Sequence, residues 1–145
     1  MTQKRVQRRE ARKLALRTLF FYLERKTEKS LKECFDYVLK ELDEAEENQF
    51  AWEIADTAVQ NMGKIKVLIR AFAPEFEFDK IAPINRALLI LGISEMKFME
   101  TPPVVVINEY IELAKEYGED KSPAFLNGVL DNYRKSLGLS RTKES

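Results

Sequence analysis

The sequence predicts an all-α protein, and three observations support this fold class. Apolar residues recur at three- and four-residue spacing along most of the chain. Proline, serine and glycine stand where they are expected to begin or end helices. No segment shows the sustained apolar–polar alternation of a half-buried strand. The chain has 145 residues, of which 45% are hydrophobic, so it is long enough for one domain with a buried core.

The first half of the chain predicts three helical segments. The first covers about residues 3–25, and the second covers about residues 31–42 with Ser30 as its N-cap. An acidic stretch over residues 41–53 begins the third segment and is typical of a solvent-exposed helix start. The apolar positions of this segment keep one helical spacing from Phe50 to about Pro74. We therefore expect one continuous helix there.

Pro83 is expected to open the central helix of the second half, because proline is favoured in a first helical turn. The segment that follows is apolar around most of its circumference, which is typical of a helix buried on several sides. We expect Ile84, Leu88, Leu91 and Ile93 to form the centre of the core.

Two further helices are predicted after the break at Thr101-Pro102-Pro103. The first ends at Gly118, a residue suited to a left-handed C-cap. Ser122-Pro123 provides an N-cap and a first-turn proline for the last helix, which is expected to end at Gly138. The domain is therefore predicted to span residues 1–139, with a flexible tail over residues 140–145.

Most enzymatic chemistries lack their usual side chains in this sequence. The absence of histidine excludes His-ligated zinc and His-based nucleophilic triads. The single cysteine, Cys34, excludes an intrachain disulfide, and its apolar neighbours favour a core residue over a nucleophile. The five glycines are isolated, so no phosphate-binding loop is visible. We expect a protein that is not an enzyme and needs neither cofactor nor metal.

The sequence also predicts a cytoplasmic location. No apolar run approaches the ~18–20 residues of a membrane span. The N-terminal segment lacks the apolar core and cleavage site of a secretory signal. A lone cysteine fits a reducing compartment.

Positive charge is concentrated near the start of a chain whose total charge is balanced. The protein has 24 Lys+Arg and 24 Asp+Glu, yet seven basic residues and one acid lie within residues 4–23. At about 100° per residue, Arg5, Arg8, Arg9 and Arg12 share one sector of the helix, and apolar side chains occupy nearly the same sector two turns later. The arginine end is therefore expected to extend past the core or to line a groove. Substituting Arg8, Arg9 and Arg12 is accordingly expected to leave folding nearly unchanged. Composition alone leaves open whether it binds RNA phosphates or only solubilises the helix end.

An ordered series of motifs resembles the NusB family of bacterial transcription antitermination factors. The stretch IAPINRALLILGISEMKF is followed by PPVVVINEYIELAKEYGEDKSPAFLNGVLDNYRK, while the N-terminal RREARKLALRTLFFY resembles the family's arginine-rich opening. Only residues 27–78 are poorly marked. The resemblance implies a compact all-α fold of two packed helical bundles and a non-enzymatic role.

The resemblance also implies partners. NusB-like proteins pair with NusE, a small-subunit ribosomal protein, and together they bind the boxA element of nascent ribosomal RNA leaders. The complex helps RNA polymerase to read through terminators. Whether the free protein is a monomer or a homodimer stays open, as do two alternative functions. One is a protein-interaction scaffold whose basic helix meets an acidic surface, and the other is a detached accessory domain of an RNA-modifying enzyme.

The family match implies roles for residues near both ends of the chain. Three arginines of the basic helix and four residues near the Gly118 turn match RNA-facing positions, and two more basic residues belong to the same basic segment. The residues expected to contact RNA are Arg5, Arg8, Arg9, Arg12, Lys13, Tyr117, Asp120, Lys121 and Phe125. Those expected to contact NusE are Phe20, Asp79 and Asn85, where Phe20 replaces a common tyrosine and Asn85 a common acid.

The turn between Gly118 and Pro123 permits two interpretations from its residue types. Tyr117 and Phe125 flank the turn and are able to offer rings to RNA bases, beside an Asp120 carboxylate that accepts hydrogen bonds from base N–H groups. Alternatively, Phe125 packs on Val129, Asp120 caps the turn and Tyr117 belongs to the core.

Overall fold

The computed structural model describes the backbone of residues 2–25, 28–41 and 48–144, and the side chains of residues 7–24, 28–41 and 48–138. Within these ranges the chain forms helices and no strand, which confirms the all-α class. The Arg5 side chain and residues 42–47 of the acidic stretch lie outside the described residues. The helices are α1 (Thr2–Arg25), α2 (Leu31–Glu41), α3 (Gln49–Gln60), α4 (Met62–Phe72), α5 (Pro83–Phe98), α6 (Pro103–Tyr117) and α7 (Ser122–Glu144), with a 3₁₀ turn at Phe78–Lys80.

The helices divide into two compact units. The first unit, Met1–Gln60, contains α1 to α3, and the second, Asn61–Ser145, contains α4 to α7. This division confirms the two helical bundles that the resemblance implied.

In the first unit, α1 contacts both α2 and α3. Ser30 begins α2 as predicted, because its Oγ accepts a hydrogen bond from the Glu33 N–H at 3.1 Å. Glu33 Oε1 in turn accepts from the Ser30 N–H at 3.0 Å, so the two residues form a capping box. The Ser30 backbone N–H that bonds to the Glu33 carboxylate, and after it the Ser30 side chain, lower the pKa of Glu33. The next helix is capped by Asn48 Oδ1, which accepts from the Ala51 N–H at 3.3 Å.

The prediction of one continuous helix from Phe50 onward is wrong. The segment divides into α3 and α4 at Asn61, whose φ of −115° and ψ of 20° are not helical. Asparagine is suited to such a break because its side chain competes for backbone hydrogen bonds in non-helical conformations. The apolar spacing persists across the break, since Ile54 in α3 and Ile65 in α4 are both fully buried. Periodicity alone therefore did not reveal the interruption.

In the second unit, α5 is the central helix and contacts α4, α6 and α7. It begins at Pro83 as predicted, and every residue from Ala87 to Met96 is buried. The predicted centre is confirmed for Leu88, Leu91 and Ile93, whereas Ile84 is only partly buried.

A buried carboxylate stabilises the connection between α5 and α6. Glu95 is fully buried and accepts hydrogen bonds from the Tyr110 hydroxyl at 2.6 Å and from Thr101 Oγ1 at 2.9 Å. Thr101 lies in the connection and Tyr110 in the middle of α6, so Glu95 joins α5 to both.

The C-terminal boundaries differ from the prediction in three respects. Gly118 has φ −96° and ψ −168°, so the predicted left-handed cap is wrong. Glycine is required there because a Cβ would lie 2.6 Å from Ser122 Oγ and 2.8 Å from the Ala114 carbonyl oxygen. Ser122 Oγ accepts from the Glu119 N–H at 2.9 Å, so it closes the preceding turn instead of capping α7. The helix also continues through Gly138, the predicted end, to Glu144. Flexibility of the tail stays a prediction.

Candidate nucleic-acid interface

The basic end of α1 is held against an aromatic ring within the first unit. The exposed Arg8 places its guanidinium carbon 4.2 Å from the centroid of the Phe50 ring. The guanidinium carbon of Arg12 lies 5.5 Å from the same centroid. A guanidinium within about 6 Å of a ring centroid is attracted by the ring's quadrupole. Phe50, the second residue of α3, therefore orders two of the predicted RNA-binding arginines.

Arg12 contradicts the expectation that the arginine face extends beyond the core. Its exposed fraction is only 3%, and its neighbour Ala11 is equally buried at 2%. Ala11 belongs to the core cluster of the first unit, together with residues of α2 and α3. The apolar packing of α1 thus begins one turn earlier than its sequence suggests. The premise that all three arginines lie beyond the core is wrong for Arg12.

The other basic residues of α1 differ in accessibility. Arg9 is partly buried. Lys13 pairs with Glu10 across 3.1 Å, with side-chain exposures of 25% and 60%. A surface pair of this kind contributes little to stability, but Glu10 offsets part of the positive charge that Lys13 brings. Arg8 is therefore the predicted RNA-binding arginine that is best exposed among the described side chains.

A second group of predicted residues lies at the turn between α6 and α7, in the second unit. Asp120 and Lys121 are exposed, whereas Tyr117 and Phe125 are partly buried. Ser122 closes the turn through its hydrogen bond from the Glu119 N–H, so it takes the capping role that residue types alone allowed for Asp120.

Phe125 lies against a ring that sequence reasoning missed. Its centroid is 4.9 Å from that of Phe76, and the ring planes meet at 79° in an edge-to-face arrangement. Phe76 lies in the segment between α4 and the 3₁₀ turn and is 47% exposed, which is unusual for a phenylalanine. Nothing in the helical periodicity marks this residue, because it lies outside every helix.

A groove of about 500 Å³ runs along this aromatic pair. It brings together Lys121 and Phe125, predicted to contact RNA, with Asn85, predicted to contact a protein partner. Asn85 Oδ1 is buried and has no hydrogen-bond partner. The lining residues are Phe76, Lys80, Ile81, Ala82, Asn85, Glu119, Lys121, Ser122, Ala124 and Phe125. Tyr117 and Asp120 are not among them.

The two remaining partner-binding predictions fall in different units. Phe20 is partly buried on α1 in the first unit. Asp79 is exposed in the 3₁₀ turn of the second unit, where its carbonyl oxygen accepts from Arg86 Nη1 at 3.2 Å. Its carboxylate is therefore left to solvent or to a ligand, while its backbone is held in place.

Comparison with known proteins identifies the family. The sequence model of the NusB family matches residues 9–135. This range includes most of α1, the turn between α6 and α7, and much of α7. The chain belongs to the NusB family.

Curated members of the NusB family cover most of the chain. The transcription antitermination protein NusB of Bacillus pumilus is 37% identical over 133 residues, which are 91% of this chain and 98% of that protein. The corresponding protein of Fusobacterium nucleatum is 39% identical over 112 residues, or 73% of each chain.

Solved structures of NusB proteins share the fold. One chain in a crystal structure of antitermination factors NusB and NusE in complex with dsRNA has a TM-score of 0.82 and 27% identity, covering 90% of this chain and 97% of that one. The solution structure of NusB from Aquifex aeolicus has a TM-score of 0.79 and 27% identity, covering 92% and 91%. The family that the motifs indicated is thus confirmed.

Membrane-spanning helices and metal clusters are both absent from the part of the chain that the structure describes. Its helices include none that is long and apolar enough to cross a membrane. Its His, Cys, Asp and Glu side chains form no group of three that would hold a metal ion.

Proposed function

We propose that this protein is a transcription antitermination factor that binds boxA-type RNA of ribosomal RNA operons together with a NusE-like protein. In this role it helps RNA polymerase to read through terminators, acts in the cytoplasm and catalyses no reaction. The observation that carries the proposal is the ordered, exposed Arg8 beside Phe50 at the basic end of α1, in a chain of the NusB family.

The basic end of α1 supplies affinity for the RNA backbone in this proposal. Arg8, Arg9 and Lys13 neutralise phosphates, and Arg5 extends the basic segment. Each phosphate contact releases condensed counterions, so binding weakens as salt is added. Arginine also binds phosphate oxygens bidentately, and a guanidinium already ordered on a ring loses less conformational freedom on binding.

The turn between α6 and α7 supplies selectivity for particular bases. Single-stranded RNA is recognised by stacking on aromatic rings and by hydrogen bonds to exposed base edges. Tyr117 and Phe125 provide rings near the turn, Lys121 provides a cation, and the exposed Asp120 carboxylate accepts from base N–H groups. The similar NusB–NusE complex contains dsRNA. The proposal favours single-stranded RNA because the partly exposed rings of Tyr117 and Phe125 are able to stack on unpaired bases.

The partner contacts of the proposal are Phe20 in the first unit and Asp79 in the second, each described within its own unit. Phe20 keeps an accessible apolar face, and Asp79 offers an exposed carboxylate to a basic ribosomal protein. The presence of NusE in the similar complex supports a partner of this class.

Salt-dependent RNA binding tests the proposal. Affinity for a boxA-type single strand and for its scrambled sequence is measured by fluorescence anisotropy across a salt series. We expect preference for the boxA-type strand, and a log–log salt slope that decreases by about one unit for each phosphate interaction that Arg8→Ala or Arg9→Ala removes. Lys40→Ala, which removes a lysine of α2 from the surface far from the basic segment in sequence, is the control and should leave the slope unchanged. If the parent and the arginine variants bound RNA equally at every salt concentration, the arginines would not contact RNA and would only make the helix end more soluble.

A further inference from the structure

Asn85 has an unmet hydrogen-bonding requirement at the edge of a groove. Three buried side-chain oxygens in the described part of the chain lack a partner: Thr18 Oγ1, Ser94 Oγ and Asn85 Oδ1. Thr18 and Ser94 are fully buried, whereas Asn85 is only partly buried and lines the groove beside Phe125. A buried acceptor without a donor costs free energy. A donor in the groove would recover it when the Asn85 amide turns its covered Oδ1 toward the groove.

The side chains around Asn85 match the chemistry of an unpaired nucleobase. The edge-to-face pair of Phe76 and Phe125 offers an aromatic surface, and Phe76 keeps 47% of its area exposed. Lys80 and Lys121, both exposed, lie on the same groove together with the acid Glu119. Lys80 Nζ lies 3.3 Å from Glu77 Oε2 in an exposed pair, which contributes little to stability, so a phosphate is able to replace Glu77 there. Stacking surface, hydrogen-bond acceptor and cations are the three features that single-stranded RNA recognition combines.

We propose that this groove binds one unpaired RNA base, stacked on Phe76, with a base N–H donating a hydrogen bond to Asn85 Oδ1. Phe125 supports the Phe76 ring from the side, and the two lysines hold the backbone on either side of the base. The inference rests on the proposed RNA-binding function. It assigns Asn85 to base recognition, whereas the family resemblance placed this position on the protein-partner surface.

The inference predicts that Asn85 affects RNA selectivity when no partner protein is present. Asn85→Leu keeps a similar volume and removes the acceptor, whereas Asn85→Asp keeps an acceptor at the same place. We expect Asn85→Leu to weaken binding of the boxA-type strand by about tenfold and to leave scrambled RNA and the salt slope unchanged. Asn85→Asp should retain the preference. Asn108→Leu, which replaces an exposed asparagine of α6, is the matched control and should behave like the parent.

The stacking part of the inference is tested at Phe76. Phe76→Leu should weaken binding of the boxA-type strand by about tenfold, and Phe76→Tyr should restore it, because stacking requires a ring and not only apolar area. Thermal unfolding of each variant verifies that the fold persists, and Phe76 is exposed enough for its replacement to be tolerated.

RNA with a single abasic nucleotide locates the base that the groove reads. When the abasic position replaces the base that binds in the groove, the parent and Asn85→Leu should bind the RNA strand with equal affinity. A difference that persists with every abasic strand would overturn the inference, as would unchanged RNA binding by Asn85→Leu combined with weaker binding of the ribosomal-protein partner. A parent protein that shows no RNA preference at all would overturn the proposed function as well. Selective binding by the parent with unaffected groove variants would overturn the base groove alone.

Discussion

At the scale of single residues, the Phe50 ring determines how the basic end of α1 is presented. The ring lies under Arg8 and near Arg12, while neighbouring residues of α3 are buried in the core. Sequence reasoning identified the arginines but not this ring, because the two segments are more than thirty-five residues apart in the chain. Side-chain type alone does not show which distant residue a guanidinium will contact.

Replacing Phe50 tests whether its ring positions Arg8 for RNA. Phe50→Leu retains apolar packing but removes the cation–π attraction, which contributes about 0.5–1 kcal/mol at an exposed site. We expect RNA affinity to fall two- to fivefold, with recovery in Phe50→Tyr. The effect should disappear in an Arg8→Ala background, which a double-mutant cycle measures by anisotropy. Additive losses in the double variant would mean that Phe50 acts only through packing.

Arg12 and Arg8 should respond differently to truncation. Arg12 is 3% exposed, so Arg12→Ala removes buried interactions of its side chain and leaves partners unsatisfied. We expect the free energy of unfolding to decrease by about 1–3 kcal/mol, as measured by thermal or urea unfolding. Arg8→Ala is the comparison and should change stability by less than about 0.5 kcal/mol, because Arg8 is exposed. Equal stabilities of the two variants would contradict this difference.

At the scale of helices, most boundaries followed from chemistry within a few residues, and two did not. Ser30 and Pro83 begin their helices as predicted, since N-capping and first-turn proline depend on chemistry within a few residues. The predicted end at Gly138 failed because glycine only weakens a helix interior by about 1 kcal/mol, and this cost does not force a stop. The break at Asn61 was missed because apolar spacing continues on both sides of it. Apolar periodicity does not by itself locate an interruption inside a helical segment or the end of a helix.

Gly118 ends α6 as predicted, but glycine is required there for steric reasons and not for a left-handed conformation. Its replacement tests the turn. A Cβ there would approach Ser122 Oγ to 2.6 Å and the Ala114 carbonyl oxygen to 2.8 Å. Gly118→Ala should therefore move the start of α7, lower the melting temperature and reduce RNA selectivity. Gly128→Ala is the control, because a Cβ at that helical position meets nothing within 4 Å and should add about 1 kcal/mol of stability. A Gly118→Ala protein as stable and selective as the parent would show that the turn adapts to the added methyl group.

At the scale of the whole molecule, the sequence predicted the fold better than the site. Apolar periodicity spans many residues and predicted the all-α class, while the two bundles were implied by the family resemblance. The groove beside Phe125 did not, because Phe76 and Lys80 lie outside the α-helices and approach the Gly118 turn only through the packing of the second unit. Asn85 was placed on the partner surface by resemblance alone, and its unpartnered oxygen is visible only in the structure.

Coupling between RNA and the protein partner is the prediction that concerns the whole molecule. If a NusE-like protein and boxA-type RNA bind at the same time, with the partner adding its own basic surface, each ligand should tighten the other. Linkage requires the two effects to be equal, so the factor by which saturating partner raises RNA affinity must equal the factor by which RNA raises partner affinity. We expect a factor of about 5–150, which corresponds to about 1–3 kcal/mol of coupling. Anisotropy measures the first factor and calorimetry of partner binding, with and without RNA, measures the second. Asp79→Ala should weaken partner binding without changing RNA affinity in the absence of partner, because its carboxylate is exposed in the 3₁₀ turn. RNA affinity that is the same with and without saturating partner would rule out the coupling and leave two ligands that bind independently.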